Sequence, residues 1–152
     1  MPIITLNYNK LYIGFSAAHF LSGFGKCDRL HGHNYQFSVS LQGEMTNEAL
    51  IDFQKLKQIL LEISSELDHK ILLPQKSKKL TYSLTSSTVE VKVGEKEYSF
   101  PLKDVQLIDI KSTTCENLAI WLYKKVKMQI SPLKVRVHLE ETSGSACEFG
   151  DF

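Results

Sequence analysis

The chain has 152 residues, 43% hydrophobic and 23% charged, which is enough apolar mass for one globular domain with a packed core and excludes a disordered chain. A formal charge of +1 gives no electrostatic basis for a nucleic-acid or membrane-surface partner, and no apolar run approaches transmembrane length. The amino terminus lacks the basic segment and apolar run of a secretory signal, and three cysteines do not make a disulfide framework, so a reducing, cytoplasmic setting is expected.

The first readable element is a strand in which Ile13, Phe15, Ala17 and His19 share one parity. Leu21 to Lys26, with Gly23 and Gly25, reads as a connection. From His33 the chain alternates again, with His33, Tyr35, Phe37, Val39 and Leu41 on one side and Asn34, Gln36, Ser38 and Ser40 on the other. Side chains two apart in a strand point the same way, so His31 and His33 project together toward the apolar side. If the two strands pair antiparallel, His19 shares that face, and Gly32 leaves room for close approach.

A single histidine on an apolar face is ordinarily a structural core residue, whereas three on one face are better explained as ligands of one metal ion. Imidazole ligands without a fourth ligand at metal spacing favour catalytic zinc with an open position, although imidazole also suits iron, nickel and copper. Cys27 as a fourth ligand would close the site into a structural one, so the favoured reading is a reactive thiol, because it follows Lys26, sits in a glycine-bearing loop and lies near the expected ion.

Asp52 is placed to cap a helix running to about Glu66, with Phe53, Leu56, Leu60, Ile63 and Leu67 facing inward at spacings of three and four. Asp68 and His69 follow. Neighbours on a helix do not face each other, so a self-contained Asp–His hydrogen bond is not expected. The basic run Lys76-Ser77-Lys78-Lys79 reads as a solvated loop rather than a phosphate site. Thr88 to Phe100 reads as a hairpin: Val89, Val91 and Val93 alternate with Glu90 and Lys92, Gly94-Glu95 make the turn, and Tyr98 and Phe100 return. It carries no catalytic group and is expected to be peripheral, with a lid over the site as the alternative.

Thr113 and Glu116 fit a capping box for a second helix beginning near Thr114, which turns Leu118, Ala119, Leu122 and Val126 inward. Beyond Pro132, Leu133, Val135, Val137, Leu139 and Glu141 share a parity, leaving Arg136, His138 and Glu140 opposite. Glu141 thus extends an apolar face, where a carboxylate needs a partner. Strands and helices in this succession make an α+β domain.

Phe15-Ser16-Ala17-Ala18-His19, Gly25-Lys26-Cys27-Asp28-Arg29-Leu30-His31-Gly32-His33-Asn34-Tyr35, Ile51-Asp52-Phe53, Leu67-Asp68-His69, Thr114-Cys115-Glu116-Asn117-Leu118-Ala119 and Glu141-Thr142 occur in that order. Together these blocks resemble the 6-pyruvoyl-tetrahydropterin synthase and 6-carboxytetrahydropterin synthase family over nearly the whole chain. The spacing from Cys27 to His31 and the Ile-Asp-Phe block are more similar to the 6-carboxytetrahydropterin synthases of the queuosine and archaeosine route.

The resemblance implies a T-fold, a ββααββ unit with antiparallel sheet spanning residues 1–152, to which the 88–100 hairpin is added, assembled as a homo-oligomer with sites between subunits. It implies Zn2+ held by His19, His31 and His33, and catalytic roles for Cys27 as general base, Asp68 and His69 as a proton relay from a neighbouring subunit, and Glu141 as pterin anchor with help from Thr114. A carboxylate suits that anchor, since the 2-amino and ring N–H groups of a pterin form a planar donor pair. The implied reaction converts a pterin triphosphate, 7,8-dihydroneopterin triphosphate, to 6-carboxy-5,6,7,8-tetrahydropterin with release of acetaldehyde and triphosphate. Lys26 and Arg29 are triphosphate candidates by charge and proximity. The rival readings are formation of 6-pyruvoyl-tetrahydropterin, cleavage to a 6-hydroxymethyl pterin, and a zinc-stabilised pterin- or purine-binding module without turnover.

Overall fold

The structure is a computed structural model that describes residues 1–6 and 13–152. In chain order the elements are β1 (Ile3–Leu6), β2 (Gly14–His19), β3 (His31–Gln42), α1 (Phe53–Leu67), β4 (Lys70–Pro74), β5 (Thr81–Leu84), β6 (Thr88–Val93), β7 (Lys96–Pro101), β8 (Val105–Ile108), α2 (Cys115–Ile130), β9 (Lys134–Thr142) and β10 (Ser145–Gly150).

The main sheet runs β10-β9-β3-β2-β4-β8. With 12 residues, β3 is long enough to pair with β2 through its first half and with β1 through its second, while β9 takes its other edge. These pairings are antiparallel, and β4 and β8 extend the sheet by parallel pairing. The β2–β3 register sets Ala17 opposite His33 and His19 opposite His31, which brings the three imidazoles to one end of one face.

The two helices cover that face. Leu56, Leu60 and Leu67 of α1 and Leu118, Leu122 and Val126 of α2 are buried with Phe37, Val39, Leu41, Val135, Val137 and Leu139 of the sheet. Each such side chain contributes about 1.5–3 kcal/mol by leaving water. Asp52 caps α1, accepting the Gln54 N–H at 2.7 Å. Phe53, expected to face inward, is 55% exposed because the buried stripe begins only in the following turn, at Leu56. The expected Thr113–Glu116 capping box does not form. Thr113 is buried and its carbonyl is engaged by His19, so the chain turns into α2 one residue later, with Thr114 at the cap.

Residues 81–101 form a separate three-stranded sheet, β5-β6-β7. Gly94, at φ +59°, allows the tight turn between β6 and β7. Val89, Val91, Val93 and Phe100 bury one face of this sheet against Phe20, Leu73 and Leu80. The hairpin is therefore not peripheral, since Phe20 directly follows the strand that ends in His19 and stacks on Tyr98 at 5.4 Å. Among the described residues no helix is long and apolar enough to cross a membrane.

Candidate metal and pterin site

His19 is the last residue of β2, and His31 and His33 are the first and third of β3. Their ligand-capable nitrogens all lie within 4.8 Å of one another. Two backbone carbonyls orient the rings: His19 Nδ1 donates to the Thr113 carbonyl at 3.0 Å, and His31 Nδ1 donates to the Arg29 carbonyl at 2.6 Å. A proton placed on Nδ1 leaves Nε2 as the ligand atom.

Burial, reinforced by His31, lowers His19 to about 4, and burial lowers His33 against the opposing pull of Glu141. Neutral imidazole is the form that binds a cation. The donor set of three imidazole nitrogens therefore fits zinc or a similar borderline ion.

Glu141, near the end of β9, brings its Oε1 to 3.7 Å from His19 Nε2 and 4.0 Å from His33 Nε2. The Tyr35 hydroxyl donates to the same oxygen at 3.2 Å. Burial, followed by the Glu141 charge, pushes the Tyr35 phenol far above its ordinary value, so it remains a donor. Parity in β9 thus does bring Glu141, rather than Glu140, to the histidines.

Cys27 lies in a 3-10 turn, Gly25–Asp28, that precedes β3. It is half-buried and stands outside the histidine cluster. The turn is closed on itself: the Leu21 N–H donates to the Cys27 carbonyl at 2.7 Å, and the Cys27 N–H donates to Phe24 at 3.1 Å. From β7, Lys96 donates to the Asp28 carbonyl and pairs with its carboxylate at 2.8 Å. Thr114 sits next to the residue whose carbonyl holds His19, and its Oγ1 accepts from Asn117 Nδ2 at 2.9 Å.

Asp68 and His69 do form a direct hydrogen bond, His69 Nδ1 to Asp68 Oδ2 at 2.8 Å, contrary to expectation. The helical geometry that would separate them has already ended. Asp68 is the extended residue after α1, and His69 has φ +57°. Asp68 Oδ1 also accepts the Ser16 N–H at 2.8 Å. His69 is 84% exposed and lines a hollow with Ser16, Ala18, Gly32 and Asn34, and with His33 of the histidine cluster.

Tyr35 and Thr113 were not singled out from sequence as site residues. Tyr35 carried a usable signal, since it shares the parity of His31 and His33 and its hydroxyl, once buried, requires a partner. Nothing local marked the Thr113 carbonyl or Lys96.

The family described as 6-pyruvoyl tetrahydropterin synthase matches residues 10–151. A Methanocaldococcus jannaschii protein provisionally named 6-carboxy-5,6,7,8-tetrahydropterin synthase is 39% identical over 132 residues, covering 84% of this chain and 81% of its own. The Haemophilus influenzae 6-carboxy-5,6,7,8-tetrahydropterin synthase is 28% identical over 142 residues, 89% of this chain and 92% of its own. The crystal structure of 6-pyruvoyl tetrahydropterin synthase from Plasmodium vivax has the same fold, with a TM-score of 0.89 at 24% identity, covering 99% of this chain and 97% of that one. With its T-fold, and with a match that spans nearly its full length, the chain belongs to the 6-pyruvoyl tetrahydropterin synthase family, a family of enzymes.

Proposed function

We propose that this chain is a zinc-dependent carbon–carbon lyase that converts 7,8-dihydroneopterin triphosphate and water to 6-carboxy-5,6,7,8-tetrahydropterin, acetaldehyde and triphosphate. Its place would be the cytoplasmic biosynthesis of queuosine- or archaeosine-type 7-deazapurines, as a homo-oligomer of single T-fold domains carrying an added β5–β7 sheet. The observation that carries this reading is the convergence of His19, His31 and His33 with the Glu141 carboxylate beside them. The names of the M. jannaschii and H. influenzae relatives favour the carboxy product.

His19, His31 and His33 would hold the ion, and zinc bound there would supply Lewis acidity to the substrate side chain. Glu141 accepts the pterin's paired N–H donors, and Tyr35 orients that carboxylate through the hydroxyl that donates to Oε1. Thr114 borders the ring. Cys27 removes the proton from the side chain. Asp68 sets the His69 ring through the bond to Nδ1, and the exposed ring passes the proton in a neighbouring subunit's site.

The test is mass-spectrometric product analysis of the zinc-loaded protein incubated with 7,8-dihydroneopterin triphosphate, with Cys27→Ala as control. The expected result is carboxytetrahydropterin and acetaldehyde, both absent from the control. A pyruvoyl or hydroxymethyl pterin would overturn the product assignment, and unchanged substrate would overturn the lyase.

A further inference from the structure

Cys115 and Cys147 have no part in the proposed chemistry, yet the fold brings these two thiols together from 32 residues apart. Cys115 is the first residue of α2, and Cys147 is the third of β10. Their Sγ atoms stand 3.0 Å apart, which is about 1 Å beyond the length of a disulfide bond. Strand register accounts for the meeting. Cys147 lies opposite Leu139 of β9, and the Cys115 thiol donates to the Leu139 carbonyl at 3.4 Å. Further along the same two elements Tyr123 packs edge-on against Phe149, with ring centroids 5.0 Å apart.

Paired thiols serve either a metal ion or redox chemistry. A structural metal site needs further ligands around the sulfurs, and among the described residues only His19, His31 and His33 gather as three metal-capable side chains. Both thiols are free and half-buried. On β10 the neighbours of Cys147, Ala146 and Glu148, are exposed, so a small reagent reaches that sulfur from the strand edge. Burial raises the Cys147 thiol, its hydrogen bond with Cys115 opposes this, and the charges of Glu116, Glu141 and Glu148 raise it further. The same carboxylates repel an anionic reagent and attract a cationic one.

We propose that Cys115 and Cys147 are a redox site that closes into a disulfide by exchange with a cationic low-molecular-weight disulfide, fastening the edge strand β10 to the start of α2. Cys147 gives up its proton to water and its sulfur attacks the small disulfide, whose S–S bond breaks to release one thiol and leave a mixed disulfide on Cys147. The Cys115 thiol then loses its proton to water, and its sulfur attacks Cys147 Sγ and expels the second small thiol. The two cysteines are oxidised by two electrons and the small disulfide is reduced by two, its two sulfurs taking up the protons. The second step is favoured because the attacking sulfur already stands beside its target. This site is independent of the lyase reading.

The test incubates reduced protein with cystamine at mildly alkaline pH, traps remaining thiols with iodoacetamide in denaturant and maps the peptides by mass spectrometry. The expected product is a peptide pair joined through Cys115 and Cys147, about 2 Da lighter than the two reduced peptides together and separated again by dithiothreitol. Cys115→Ser should stop the exchange at the cystamine half-adduct on Cys147. The same treatment in urea, where no fold selects partners, should give a mixture that also joins Cys27 to Cys115 and to Cys147. Folded protein that yields this same mixture would overturn the site, as would Cys115 and Cys147 that both remain fully alkylated.

Discussion

His19 and His31 are aimed by backbone carbonyls, at 3.0 and 2.6 Å, so the metal centre depends on where two loops pass as much as on the ligands. Removing a ligand and removing the carboxylate beside it should have separable effects. His31→Ala is expected to lower bound zinc, measured by elemental analysis, by more than about tenfold while the circular dichroism of the fold persists. Glu141→Gln should keep the metal yet weaken pterin binding by about 100-fold, because an amide turns one acceptor into a donor against the ring's N–H pair. Loss of metal in Glu141→Gln would make that residue a ligand instead of an anchor. Asp68 allows a test by pH. Burial raises its carboxyl, but the hydrogen bonds from Ser16 and His69 outweigh this and hold it below its ordinary range. A depressed folded value means stability present above the unfolded value of about 4 and lost as the pH falls through the folded one. Asp68→Asn should therefore cost less than about 1 kcal/mol at pH 7, the group being partly exposed, and the gap from wild type should close under acid. Urea unfolding at neutral and acid pH measures both ends, and a gap that widens on acidification contradicts the assignment.

Among the elements, β5–β7 changes most in meaning between sequence and structure. Its alternation is visible in Val89, Val91 and Val93, but its contact with the Cys27 turn is made by one long-range lysine, Lys96, which leaves no local signature. The site strands were legible for the opposite reason. β2, β3 and β9 each bury one face, so period-two alternation reported both the core and the positions of His19, His31, His33 and Glu141. β10 is exposed along most of its length and gave no such pattern, and the true start of α2 depended on a tertiary contact, the burial of Thr113 beside His19. If Lys96 braces the turn, Lys96→Ala should leave zinc content and the burial of Val89 and Val91 intact while kcat falls about threefold to tenfold. It should also change the rate at which iodoacetamide modifies Cys27. Cys115 and Cys147 supply an internal reference, because burial raises both thiols and slows their alkylation. Unchanged Cys27 labelling with full turnover would show that the Lys96–Asp28 pair merely decorates the surface.

At the scale of the whole molecule, β10 and β8 end the main sheet with one unpaired edge each among the described residues, and such edges serve as templates for pairing with another chain. The Asp68–His69 pair follows α1 and the Cys27 turn precedes β3, and among the described residues no hydrogen bond joins the two halves of the proposed proton pathway within one chain. Closed assembly of identical subunits resolves this if the His69 of one chain reaches the Cys27 turn of the next. Two inactive variants should then repair each other. Cys27→Ala retains His69, His69→Ala retains Cys27, and neither alone should turn over substrate. Co-expressed with different tags and purified as mixed oligomers, they should recover about a quarter of wild-type activity, because a site is complete only where the right pair of subunits meets. Mixed oligomers that remain inactive, despite full zinc content and wild-type size by light scattering, would exclude His69 from any neighbouring site. The sheet would then have to be completed by an arrangement in which each chain closes its own catalytic path.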